Sequence, residues 1–363
     1  MTSCNTGLSR DVRERYISYK ASSFSSKADL PLKRNEILNL EQLKKLSYQE
    51  QLPVVESLIH DHFGQKPDDI FCPLNLGTLH NIFFIKISNK EFVLKTTLKN
   101  LSYLAYDFLI EQWIQKTLEK KRLNVNSVLQ INCDFNHYDF AFILSKRIND
   151  KVLAEVSCSE RQDLAYNLGE NLAILHSIKT RNFGLLNALK FEPKLCATGM
   201  LKSWAQYFYL NLDRHLQTCF SHHLISKKLT DDLIHIFQTS ELEFSEIKPS
   251  LLHGDLGNNN IFIKPDRSIL MIDWEDALSG DPLFDIALWG TFIGNQEFLP
   301  QLLSGYQSIR SLSNNYMYWY WIYSLRILLS KTTLRYRFGY YKTDKIPHEQ
   351  RFLFPLQQLR KLS

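Results

Sequence analysis

Between residues 71 and 95 the chain leaves the helical spacing that governs it on either side. Residues 81–87 and 91–95 are rich in β-branched and aromatic side chains and read as two strands, with Ser88-Asn89-Lys90 as the turn between them. Before them, residues 41–63 place Leu52, Val55, Leu58 and Ile59 on one helical stripe. After them, residues 101–121 put Leu104, Phe108, Glu111 and Leu118 on one face, which aims a carboxylate inward. A hairpin bracketed by helices excludes an all-helical chain and points to an α+β arrangement.

Another apolar strand over residues 140–144 leads into the polar stretch 145–150, which fits a connector between two lobes. The 363 residues allow two packed lobes around a cleft, or one large domain. Beyond the connector Leu164, Leu168, Leu172 and Leu175 mark an amphipathic helix, so the second lobe is expected to be α-rich. Residues 260–263 and 268–272 flank Pro265-Asp266-Arg267 and read as a second hairpin. The first 30 or so residues are rich in Ser, Lys and Arg and read as a mobile arm or a loosely packed lead-in.

The densest chemistry lies at that second hairpin. Leu252-His253-Gly254-Asp255-Leu256-Gly257-Asn258-Asn259-Asn260 is followed by Met271-Ile272-Asp273-Trp274-Glu275. Phosphoryl transfer needs a carboxylate to orient and deprotonate a hydroxyl, and hard oxygen ligands for Mg²⁺ at the phosphates. Asp255, Asn260 and Asp273 can fill those places.

With these residues the chain resembles the aminoglycoside phosphotransferase and choline kinase superfamily, whose loop reads His-x-Asp-x-x-x-x-Asn with a second acid following in an Ile-Asp-Trp/Phe setting. The resemblance implies a bilobal, protein-kinase-like fold, with a small antiparallel-sheet N-terminal lobe and a larger α-rich C-terminal lobe. The implied divisions are an arm over 1–35, a nucleotide-binding lobe over 36–146 and a catalytic, substrate-binding lobe over 147–363. It implies Asp255 as the catalytic base, Asn260 and Asp273 as Mg²⁺ ligands and His253 as a brace for the loop. Many relatives carry His-Pro-Gly before the metal asparagine where this chain has Gly257-Asn258-Asn259.

Upstream, Gly77-Thr78 and the strand ending Val93-Leu94-Lys95 are similar to the family's ATP-binding hairpin, though the glycine pattern is not that of protein kinases. Val93 and Lys95 share one face of a strand, so Val93 could cover an adenine while Lys95 reaches phosphate. By the same resemblance Lys95 pairs with Glu111. Residues 143–148 are similar to the interlobe hinge, where backbone near Lys146 and Ile148 would meet the adenine edge; a plain polar loop has equal standing there. Asp281 and Asp285 are expected to bond loop backbone or cap a helix.

The expected function is an ATP- and Mg²⁺-dependent kinase of a small-molecule hydroxyl. The acceptor stays open among aminoglycosides and other antibiotics, natural-product intermediates, sugars and amino alcohols. Glu275 and Asp276 could form an acidic wall for a cationic acceptor, and Trp204, Tyr207, Phe208 and Tyr209 either enclose it or belong to the core. A catalytically silent nucleotide-binding protein is the alternative. No DFG or APE motif supports a protein kinase. Forty-three Lys and Arg against 38 Asp and Glu give a net charge of +5, too small to argue for nucleic acid. Lys331, Arg335, Arg337 and Lys342, with Tyr336 and Tyr340, form a basic aromatic patch read as a solvated surface. Six scattered cysteines, no apolar leader in residues 1–20 and no bilayer-length apolar run set the expectation of a cytoplasmic protein that engages no membrane.

Overall fold

The computed structural model describes residues 10–30, 40–73, 76–77, 79–190, 197–240, 247–343 and 346–362. Helices α1 (Arg10–Ala21) and α2 (Leu40–Phe63) precede the first sheet. Its strands are β1 (Asp69–Phe71), β2 (His80–Ile87), β3 (Lys90–Thr97), β4 (Val128–Asn132) and β5 (Phe142–Lys146), with helix α3 (Ala105–Lys120) between β3 and β4. The strand order is β1-β2-β3-β5-β4, and every neighbouring pair is antiparallel. Strands β2 and β3 are the hairpin expected from the sequence. Ile87 pairs with Lys90, which leaves Ser88 and Asn89 as a two-residue turn with Ser88 at φ 55°. Such turns need positive φ at their first residue.

Alternation along β3 sorts its side chains between two faces. Phe92 and Leu94 are buried against Val55, Leu58 and Ile59 of α2. Val93 and Lys95 point to the opposite face, where α3 supplies Phe108 and Glu111.

The rest of the chain is mainly helical. It runs through β6 (Lys151–Val152), α4 (Cys158–Leu175), β7 (Phe183–Leu186), β8 (Gly199–Leu201), α5 (Trp204–Phe208), α6 (Leu212–Ser221) and α7 (Lys227–Thr239). Then come β9 (Ser250–Leu252), β10 (Ile261–Ile263), β11 (Ile269–Met271), β12 (Leu278–Gly280), α8 (Leu283–Gly290), α9 (Leu299–Gln307), α10 (Tyr316–Arg337) and α11 (Gln350–Leu362). Two small sheets, β11-β10-β6 and β8-β7-β12-β9, sit among these helices. The β10–β11 pair is the second expected hairpin, with Ile261 opposite Met271 and Arg267 at φ 65° in the turn. The apolar stretch at residues 316–329 lies inside α10 and packs in the core. Its buried Arg326 donates to Phe208 O at 2.8 Å and Leu210 O at 2.7 Å. Among the described residues, no helix is long and apolar enough to cross a membrane.

Residues 10–30, expected as a mobile arm or a loosely packed lead-in, are packed into the core. Tyr16, Tyr19, Phe24 and Leu30 are at most 4 % exposed and belong to the largest hydrophobic cluster, with Leu186, Trp204, Tyr207 and Phe284. Asp29 bonds His215 at 2.9 Å, Tyr207 Oη donates to Phe24 O at 2.6 Å, and Arg337 donates to Leu30 O at 2.7 Å. The polar composition concealed these few aromatic anchors, each of which removes a large apolar area from water.

Candidate active site

Chain order explains why the acids meet. Strand β9 ends at Leu252, just ahead of His253-Gly254-Asp255. Asn260 precedes β10 and Asp273 follows β11, so an antiparallel hairpin brings them to one end, and Ile272 N donates to Asn260 O at 3.0 Å. Gly254 has φ 80°, and a Cβ there would stand 1.9 Å from Asp276 O, so only glycine lets the two backbones approach this closely.

Buried bonds hold the loop. Asp285, with no exposed surface, accepts from His253 N at 2.6 Å and Gly254 N at 3.0 Å, and lies 3.2 Å from His176 Nε2. His253 faces Ile272 O through Nε2 at 3.0 Å and accepts from Asp255 N through Nδ1 at 3.3 Å. Those partners require the neutral ring with its proton on Nε2. Burial depresses its pKa, against the pull of Asp285 and Asp255, in keeping with that form. Asp281 accepts from Leu283 N at 3.0 Å at the start of α8 and from Tyr323 Oη at 2.8 Å.

Lys95 enters from β3. Its Nζ lies 2.9 Å from Asp273 Oδ1, 3.6 Å from Glu111 Oε2 and 3.8 Å from Glu275 Oε2. Burial works against the charge, yet Asp273, Glu111 and Glu275 outweigh it and raise the lysine's pKa. Burial also raises the Glu111 carboxyl, with Lys95 offsetting it only in part and the charges of Asp273 and Glu275 adding to the rise. Against burial and the nearby Glu275, Lys95 and Lys27 hold the Asp273 carboxyl below its usual range. Asp273 also sits at φ 67°, a left-handed conformation uncommon outside glycine that costs backbone energy. Asn260 Nδ2 donates to Asp255 O at 2.9 Å, a bond that uses the amide nitrogen and not the oxygen Oδ1.

The structure therefore brings Asp255, Asn260, Asp273, Lys95 and Glu111 together. The upstream residues are placed less decisively. Gly77 takes φ 64° ahead of β2 and its carbonyl accepts from Lys44, whereas Thr78 lies outside the described residues. Val93 is half-buried on the Lys95 face. The Lys146 N–H already donates to Ser127 O at 2.9 Å, so it has no proton left for an adenine edge. Ile148 follows in the connector, half-buried.

Two residues gain roles that sequence reasoning did not assign. Lys27, from the N-terminal segment, reaches Asp255 Oδ2 at 2.6 Å, Glu275 Oε1 at 3.0 Å and Asp273 Oδ2 at 3.7 Å. His80 Nδ1 lies 3.1 Å from Glu275 Oε2. Neither position carries a local signal: one is a lysine in a serine-rich stretch, the other the first residue of a strand. Glu275 and Asp276 are not a free acidic wall. Lys27 and His80 engage Glu275, while Asp276 accepts from Ser26 N at 2.8 Å and faces Ser25 Oγ at 3.4 Å. Trp204, Tyr207 and Phe208 are buried in the core. The basic patch is not a uniform surface either, since Lys331 bonds Thr291 Oγ1 at 2.9 Å and Arg337 turns in to the N-terminal segment. Among the described cysteines, Cys72, Cys133, Cys158 and Cys219 are free thiols.

Comparison with known proteins bears on the family and the fold. The family model described as "Phosphotransferase enzyme family" matches residues 71–315. The curated "Acyl-CoA dehydrogenase family member 11" of Mus musculus is 24 % identical over 241 residues, 63 % of this chain, and the match spans only 29 % of that longer protein. The "Probable ketoamine kinase YniA" of Escherichia coli (strain K12) is 23 % identical over 286 residues, covering 77 % of this chain and 92 % of that one. Among solved structures, a thermostable mutant of aminoglycoside phosphotransferase APH(4)-Ia, in a ternary complex with AMP-PNP and hygromycin B, superposes with a TM-score of 0.60 at 17 % identity, over 85 % of this chain and 97 % of that one. That likeness establishes the kinase-like fold.

Proposed function

This chain belongs to the phosphotransferase enzyme family, and on that premise we propose that it moves the terminal phosphoryl group of ATP, with Mg²⁺, onto a hydroxyl of a small molecule. The observation that carries the reading is a single ammonium, Lys27 Nζ, touching both Asp255 and Asp273, with Lys95 on the far oxygen of Asp273. Residues from a loop, a hairpin and a separate sheet thus converge on one point.

Each residue then has a task. Asp255 accepts the hydroxyl proton and aims the oxygen at the phosphorus. Lys95, backed by Glu111, holds the α- and β-phosphates. On this reading Val93 covers one adenine face, backbone groups near Lys146 and Ile148 meet its edge, and Gly77 and Thr78 are assigned to the phosphates. The donor set suits Mg²⁺, because the side chains of Asn260 and Asp273 carry hard oxygens, an amide oxygen and a carboxylate. Among the described residues no group of three His, Cys, Asp or Glu is arranged to hold a metal. When bound, Mg²⁺ would be held by Asn260 and Asp273 and would offset charge on the phosphates.

The acceptor class favoured is a sugar-type hydroxyl, since a ketoamine kinase and an aminoglycoside kinase are among the relatives. A second reading, a nucleotide-binding protein without turnover, draws on the Lys27–Asp255 pair, which occupies one oxygen of the base. Mass spectrometry across aminoglycosides, ketoamines, sugars and amino alcohols separates the two. Catalysis predicts a phosphate added to one class by the wild type and lost in Asp255→Ala. Magnesium-dependent ATP binding with no product from any class supports the silent reading.

A further inference from the structure

The loop after α1 ends in the middle of this site. Lys27 bridges Asp255 and Asp273, while Lys95 approaches Asp273 from the sheet. The catalytic loop supplies no such charge of its own, for residues 253–262 contain no Lys or Arg.

Buried contacts on both sides build the position of Lys27. Before it, Phe24 stacks on Tyr207 at 4.9 Å and lies 3.6 Å from the Arg326 guanidinium. Ser26 N donates to Asp276 Oδ1 at 2.8 Å, and Lys20 Nζ donates to Ser26 Oγ and Glu275 O, each at 2.8 Å. After it, Asp29 closes the loop by accepting from Phe24 N at 2.7 Å and bonding His215 at 2.9 Å. The Lys27 ammonium thus faces three carboxylates, Asp255 at 2.6 Å, Glu275 at 3.0 Å and Asp273 at 3.7 Å.

We propose that Lys27 is a catalytic residue of the phosphoryl transfer, donating hydrogen bonds to the terminal phosphoryl group as it passes from nucleotide to acceptor. The inference rests on the reading of the chain as an ATP-dependent phosphotransferase. In the step, the bond between the γ-phosphorus and the β,γ-bridging oxygen breaks, and ADP leaves with the electron pair. The acceptor oxygen forms the new bond to phosphorus and its proton goes to Asp255. Lys27 keeps its own proton and offsets charge on the transferring oxygens. A cation fixed beforehand does this without reorganisation during the reaction. A lysine that merely blocked the acceptor would act in the opposite sense.

Calorimetric titration of the full chain with MgAMP-PNP and MgADP tests this, because only the first carries the terminal group. Lys27→Met is expected to weaken MgAMP-PNP binding roughly tenfold, the value of one charge-assisted hydrogen bond, and to leave MgADP binding unchanged. Lys27→Gln, which also lacks the charge but keeps a donor for the same acids, replaces it if the first variant does not fold, with the same expectation. Lys95→Met weakens both nucleotides and serves as the reference. Equal losses for both nucleotides, unchanged affinity, or tighter MgAMP-PNP binding overturns the inference while leaving the kinase reading intact. A wild type that binds neither nucleotide overturns both.

Discussion

Replacing Asp285 with alanine should cost both stability and nucleotide-dependent function, because one buried carboxylate holds the loop that carries Asp255. Its oxygens accept two backbone N–H groups, His253 at 2.6 Å and Gly254 at 3.0 Å, and meet His176 at 3.2 Å. The alanine variant strands all three in a site without water access, at about 1–3 kcal/mol for each unpaired polar group. Partial relaxation brings the expected total to about 4 kcal/mol, the range seen when one member of a buried charged network is removed. For a chain of this size that is a fall in Tm of roughly 5 °C. Asp285→Asn keeps one acceptor oxygen and should lose about half as much. Against burial, the bond from His176 and its charge hold the Asp285 carboxyl below its ordinary value of 3.8. The sign follows: its contribution is complete above that pH and is lost as pH falls below it. Urea unfolding at pH 7 and at pH 3, on wild type and both variants, measures these effects. A loss under about 1 kcal/mol at pH 7 for the alanine variant would refute the reasoning, as would the same wild-type-to-variant difference at both pH values.

Three further outcomes follow from the same contacts. Asp255→Asn should lower kcat by about 10² to 10⁴, the usual contribution of a general base, with ATP affinity within threefold of wild type by titration; retained turnover would remove Asp255 from the proposed role. Phe24→Ala should lose about 3–5 kcal/mol in chemical denaturation, because Phe24 is 4 % exposed between Tyr207, Phe284 and Arg326; no loss would return residues 10–30 to a mobile arm. Burial lowers the Lys331 pKa from 10.5 to about 7, against the pull of Asp255. The folded state thus binds fewer protons than the unfolded state between those values, so wild-type stability should gain from this group as pH rises from 7 toward 10.5. Lys331→Met should abolish that component, and an unchanged slope would contradict it.

What the sequence revealed depended on how local each signal was. The β2–β3 hairpin, the β10–β11 hairpin and the stripe on α4 repeat at short range and could be read directly. Asp255, Asn260 and Asp273 were legible because one loop and one hairpin carry all three. Strands of three residues, such as β7's neighbour β8 and β12, show no period and emerge only through pairing. Lys27 lay beyond local reasoning altogether, since 228 positions separate it from Asp255 and only tertiary packing of Tyr16, Tyr19 and Phe24 carries it there. The connector was read as a stretch of backbone; what no local signal showed is that Ser127 O takes the Lys146 N–H.

A crystal structure of the chain with MgAMP-PNP tests the convergence of these side chains most directly. The account predicts the metal at about 2.1 Å from Asn260 Oδ1 and an Asp273 oxygen, Lys95 on the α- and β-phosphates, and Asp255 facing the terminal phosphorus. Phosphates bound elsewhere, with Asp255 and Asp273 still paired to Lys27 and Lys95 as in the nucleotide-free chain, would contradict it.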